Sequence, residues 1–258
     1  MTVAGNRLHP SRLVAILVLL TGFASPIAAA DALPKGFVRL ASLDTGIREV
    51  MRYATAANVT GKPLPGYGAA ACILRDDVAR ALARVQTALR PEGLGLVVFD
   101  CYRPQRAVAA LVAWTQDKAV PQRGPFHPAI DRQALVAQGY IAARSLHASG
   151  FAVDLALAPL EGPPVPISRA DGDPAPCTAD QAARGDGDLL DFGTTFDCFD
   201  PAAATQAPGR SEEVTANRQR LVAAMAAEGC VNYRREWWHF TYARRSKAVA
   251  HDFPITDP

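Results

Sequence analysis

The sequence predicts a mixed α+β fold, and three observations carry that prediction. A helical stripe runs through residues 76–89, where Val78, Leu82, Val85 and Leu89 recur on one face. Short apolar runs at 96–100 and 151–157 follow Gly95 and Gly150 and are too brief for helices. A further strand, rich in aromatic residues, is expected at 237–243.

Taken in order, residues 1–30 read as a secretory signal. Arg7 and Arg12 form a basic start, 13–23 is apolar, and Ala28-Ala29-Ala30 offers a small-residue cleavage site before Asp31. The apolar run is short for a membrane span, which needs about 20 residues; an uncleaved anchor is the competing reading. No Cys follows the site directly, which argues against a lipoprotein. The expected location is therefore periplasmic or secreted. The whole chain carries 27 Lys and Arg against 25 Asp and Glu, and the signal holds two of the Arg and no acid, so the remainder balances at 25 each. That balance gives no support for nucleic-acid or anionic-membrane partners. Residues 31–258 suit one domain long enough to bury a full core.

Residues 31–74 look loop-rich, with Gly61-Lys62-Pro63-Leu64-Pro65-Gly66 excluded from regular structure. The helix at 76–89 has acids at its start, which suits the helix dipole, and 91–95 ends it. The strand 96–100 delivers Arg103 to a strand-to-helix junction, and Pro104 opens a helix over 104–118 with Val108, Leu111, Val112 and Trp114 inward. A short helix is expected at 131–138, ended by Gly139, and His127 in the preceding loop reads as a surface histidine. In the strand 151–157, Phe151, Val153, Leu155 and Leu157 face the core, while Asp154 projects the other way between Ala152 and Ala156. Residues 159–209 form a loop-rich insertion. Its Asp186-Gly187-Asp188 with Asp191 lacks the full spacing of a helix-loop-helix calcium site and reads as solvated turns. A helix over 211–228 has Ser211 as cap and Gly229 as stop. The five Cys lack the close pairs of a zinc-thiolate site; one or two disulfides fit an oxidising compartment, with Cys177–Cys198 the first candidate pair.

Chemistry concentrates in two stretches. Ser145-Leu146-His147-Ala148-Ser149-Gly150-Phe151-Ala152-Val153-Asp154 offers a His and an Asp seven positions apart, and Arg235-Glu236-Trp237-Trp238-His239-Phe240 offers a Glu and a His three apart. Asp154 alone is equally a metal ligand or the partner of an Arg, since a buried carboxylate must be paired. His239 alone is most simply a satisfied core histidine. Together the clusters favour a metal, with two imidazoles and one carboxylate as ligands and a second carboxylate for water. Three protein ligands with an open position describe catalytic rather than structural zinc.

Further motifs accompany these: Arg52-Tyr53-Ala54-Thr55 with Asn58, Gly61-Lys62-Pro63, Gly66-Tyr67, Phe99-Asp100-Cys101-Tyr102-Arg103-Pro104 and Phe192-Gly193-Thr194-Thr195-Phe196-Asp197. In this order, across roughly 53–240, they resemble the D-alanyl-D-alanine dipeptidases, the zinc peptidases that include the vancomycin-resistance dipeptidase. The one departure noted is Cys101, where a small residue is expected. The resemblance implies a small central antiparallel sheet with packed helices, related to the D-Ala-D-Ala metallopeptidase and hedgehog-type zinc fold. It implies one zinc per chain on His147, Asp154 and His239, Glu236 as general base, and Arg103 at the scissile carbonyl, where a permanent planar charge suits an oxyanion. Asp197 and Tyr53 would take the ammonium end of a small D-Ala-D-Ala substrate, and Ser145 the carboxylate end or the ordering of the site. Two other functions stay open: a carboxypeptidase or endopeptidase of peptidoglycan stems on the same zinc fold, and a catalytically silent module that binds cell-wall fragments. Asp197 separates the first from the dipeptidase, and Glu236 with Arg103 argues against the second.

Overall fold

A computed structural model describes residues 1–2, 33–44, 46–162, 175–244 and 247–257. The expected signal and its cleavage site lie outside these residues, as does the middle of the 159–209 insertion. The chain forms β1 (Phe37–Arg39), β2 (Arg48–Glu49), β3 (Ile73–Arg75), α1 (Asp76–Leu89), β4 (Leu94–Asp100) and α2 (Gln105–Gln116). It continues through β5 (Ala152–Pro159), α3 (Gln181–Arg184), α4 (Glu212–Ala227), β6 (Cys230–Asn232) and β7 (His239–Tyr242). A five-stranded sheet has the order β2-β4-β5-β7-β6, and β1 pairs with β3 beside it. The α+β expectation holds. The sheet departs from pure antiparallel pairing at one edge, where the two-residue β2 runs parallel to β4.

The stripe of α1 is buried as its spacing requires, with Asp76 and Asp77 in its first turn. Gln86, also buried, accepts the Leu96 N–H at 2.8 Å and so fastens α1 to β4. Gly93 adopts a left-handed φ of 68° that turns the chain into β4. In α4, the Ser211 hydroxyl accepts the Val214 N–H at 3.2 Å as an N-cap. That helix packs on α1 and β6 and covers part of β5. Strand β5 is buried on both faces from Ala152 to Ala158, so the Asp154 side of the strand is interior.

Several expectations need correction. Pro104 stands at the N-cap of α2, and Val112 is only half-buried. The helix at 131–138 is a single 3-10 turn, Arg132–Ala134. Its Arg132 is buried and spends its guanidinium on the carbonyls of Trp114, Asp117, Val120 and Pro121, so the segment plugs the end of α2 instead of continuing as a helix. His127 is buried too, edge-on to Trp114, with Nδ1 3.2 Å from the Ile130 carbonyl. The acidic turns of the insertion are ion pairs: Arg184, buried, meets Asp186 at 2.7 Å and Asp191 at 2.5 Å, and Arg48 meets Asp188 at 3.1 Å. The strand at 237–243 begins only at His239. Trp237 and Trp238 belong to a turn clamped by Asn232, whose Nδ2 donates to the carbonyls of Glu236, Trp237 and His239.

Cys177 and Cys198 are bridged as expected, and a second disulfide joins Cys72 to Cys101, accounting for the departure at Cys101; Cys230 is a buried free thiol.

Candidate active site

Three neighbouring strands end at one level. Asp100 of β4 pairs in register with Asp154 of β5, and Asp154 pairs with His239 of β7. Directly opposed residues share a face and lie about 5 Å apart. The register of β4 shifts between Val98 and Asp100, a bulge that sets Asp100 opposite Asp154. The fourth member comes from the loop before β5, where Leu146–Ser149 forms a 3-10 turn closed by Gly150 at φ 75°. Ser145 caps that turn, its hydroxyl accepting the His147 N–H at 3.3 Å.

The ligating atoms of His147, Asp154 and His239 all lie within 4.8 Å of one another. Asp154 Oδ1 is 2.9 Å from His239 Nδ1, Asp154 Oδ2 is 3.3 Å from His147 Nε2, and the two imidazole nitrogens approach to 3.1 Å. His147 Nδ1 is 2.7 Å from the Cys101 carbonyl. A carbonyl only accepts, so Nδ1 carries the proton and Nε2 turns its lone pair inward.

The negative charge of Asp154 draws positive charge to this point. Burial would raise the Asp154 carboxyl, but His147 and His239 outweigh it and hold Asp154 well below the usual carboxylate range. Burial pushes His239 down toward its neutral form. Burial would also lower His147, yet Asp154 reverses this and raises it. An ionised carboxylate and two inward-facing imidazole nitrogens in so small a space are the donor set that a divalent metal requires, so the residues fit one.

Every residue singled out from the sequence as ligand, base, oxyanion partner or substrate contact lines one cavity of about 340 Å³. Glu236 is buried on its wall, and its carboxylate makes no hydrogen bond among the described residues. Burial, then the Asp154 and Asp197 charges, push it well above the usual range. Arg103 lies over the Tyr53 ring at 4.7 Å, donates from Nε to Asp100 Oδ2 at 2.9 Å and sits 3.6 Å from Asp154 Oδ2. It is thus a half-buried arginine on the cavity wall, ion-paired with Asp100. Tyr53 donates to Asp197 Oδ2 at 2.8 Å. Asp197 has a φ of 58°, in the left-handed region, the one non-glycine there among the described residues. Burial, followed by the Asp154 charge, pushes its carboxyl up to about 7.

The matched family is peptidase M15, described as D-Ala-D-Ala dipeptidase, over residues 34–167 and 175–255. The chain belongs to this family. The D-alanyl-D-alanine dipeptidase of Streptomyces coelicolor is 35% identical over 221 residues, 85% of this chain and 98% of that protein. The one from Enterococcus faecium is 30% identical over 222 residues with the same coverage, and the one from Escherichia coli 30% identical over 203, covering 79% and 82%. The protein is accordingly a peptidase with a metal-competent triad.

Sequence reasoning quoted Asp100, Tyr67 and Asn232 without a role or passed over them. Asp100 is fully buried; it accepts from Tyr67 at 2.5 Å and from Arg103, and lies 3.3 Å from His147 Nδ1. It orients the peptidase's Arg103 and one ligand together. An acid ending an all-apolar strand was the available signal, because a buried carboxylate demands partners.

Proposed function

We propose that the protein hydrolyses the free dipeptide D-alanyl-D-alanine to two D-alanines with one zinc ion on His147, Asp154 and His239. The observation that carries this reading is the convergence of that triad with Glu236, Arg103 and the Tyr53–Asp197 pair on one cavity. When bound, zinc supplies Lewis acidity and brings water at its open position toward a pKa of about 7. Glu236, with no competing partner and a carboxyl already displaced upward, takes a proton from the attacking water and returns it to the leaving amine. The Arg103 guanidinium, oriented by Asp100, meets the charge that grows on the carbonyl oxygen. Asp197, held by Tyr53, accepts the substrate's ammonium group. A chain extended or acylated at that end would leave the Asp197 carboxylate buried without its partner, which disfavours longer stems.

The deciding experiment measures amine release from D-Ala-D-Ala and from N-acetyl-D-Ala-D-Ala, each with and without a zinc chelator. Chelator-sensitive cleavage of the free dipeptide alone is expected. Cleavage of the acetylated form would move the reading to a stem-trimming peptidase, and zinc binding without cleavage of either would favour the silent module.

We also read residues 1–30 as an export signal and the remainder as one domain acting in the periplasm or outside the cell. Two disulfides support an oxidising compartment.

A further inference from the structure

A free dipeptide carries a carboxylate as well as an ammonium group, and the cavity must answer both. Its negative side is evident in Asp154, Asp197 and Glu236. Its positive side is not supplied by Arg103, whose guanidinium is bound to Asp100 and drawn toward Asp154. Ser145 keeps its hydroxyl proton free to donate while its oxygen caps the turn that carries His147, but it is uncharged and adds no positive charge.

One other guanidinium lines the same cavity. Arg144 is exposed at its rim and makes no ion pair or hydrogen bond among the described residues, whereas nine other arginines among those residues are in ion pairs. It immediately precedes Ser145, so the turn that fixes His147 also fixes where Arg144 leaves the backbone. Tyr140 and Ile141 form adjacent apolar wall, a surface suited to a small side chain such as a methyl group.

We propose that Arg144 is the specificity residue that receives the substrate's terminal carboxylate. The assignment rests on the dipeptidase reading. With the Tyr53–Asp197 pair for the ammonium group, it gives the cavity a charge partner for each end of a zwitterion. An exposed cation acts in a partly aqueous setting, so its contribution is modest and sensitive to salt.

The test compares wild type, Arg144→Gln and Arg144→Lys on D-Ala-D-Ala and on its C-terminal amide, at low and high ionic strength. For the free dipeptide, Arg144→Gln raises KM about tenfold, equivalent to about 1.4 kcal/mol, with kcat held within about twofold, a ratio set by uniform binding. Arg144→Lys recovers part of the loss, since it keeps charge without the fork. For the amide, wild type and Arg144→Gln have the same KM, and on the dipeptide their difference shrinks at high salt. Equal losses on both substrates, or a wild type that handles the amide as well as the dipeptide, would overturn the role of Arg144 while leaving the dipeptidase intact. A wild type that cleaves neither would remove the dipeptidase reading and this assignment with it.

Discussion

Asp197 combines a left-handed backbone, burial and a carboxyl pushed up to about 7, and each property constrains how it can be tested. Asn tolerates the left-handed region whereas Ala does not, so Asp197→Asn removes the charge and leaves the backbone relaxed. The ammonium group binds the ionised carboxylate, so KM for the free dipeptide should rise as pH falls through about 7, and this limb should be absent from the pH profile of Asp197→Asn. The sign for stability is the opposite. A carboxyl whose folded pKa lies above its ordinary value favours the fold when protonated, so that contribution is lost as pH rises from about 4 toward 7. Metal-free Asp197→Asn should therefore melt above wild type at pH 8 by calorimetry, with the difference narrowing in acid. A pH-independent difference would show that burial of this charge is not the cause. Much at this scale was legible in the sequence. His147, Asp154, Glu236 and His239 announce themselves by type and spacing. Asp100 and Arg144 do not, because one acts through partners from three separate segments and the other is defined by having none.

At the scale of elements, the Cys72–Cys101 bridge joins the residue before β3 to the residue after β4, and the Cys101 carbonyl is the one that orients His147. Its closure spans 29 residues, worth about 3–4 kcal/mol of loop entropy. Replacing both Cys72 and Cys101 with Ala should lower the melting temperature. It should also weaken zinc binding about 10- to 100-fold in a chelator competition, the usual cost of disturbing a ligand's outer partner. Lost stability with unchanged zinc affinity would confine the bridge to a scaffold role. Helix α1 was readable from its stripe and first-turn acids, and α4 from its Ser211 cap and first-turn acids. The start of β7 and the turn at Arg132 were not, since the clamp of Asn232 and the carbonyl cage around Arg132 are tertiary and leave no local pattern. The parallel edge strand β2 has only two residues, too few to show any period.

For the molecule as a whole, a metal that binds only the folded state stabilises it by mass action, by about 2.7 kcal/mol at a hundredfold excess over the dissociation constant. Removing the metal with a chelator should thus lower the melting temperature, and adding one equivalent of zinc should return it. The same scan on His239→Ala should show little response to zinc, and an unchanged response would place the ion elsewhere.

The alignment of Asp100, Asp154 and His239 across β4, β5 and β7 ties chemistry to folding. Sliding the β5–β7 pairing by a single residue sends His239 to the opposite side of the sheet from Asp154, so a molecule mispaired there is not a weak version of the enzyme; it has lost a ligand. Metal uptake during refolding is then a proofreading signal, reporting that the β5–β7 pairing has locked in phase.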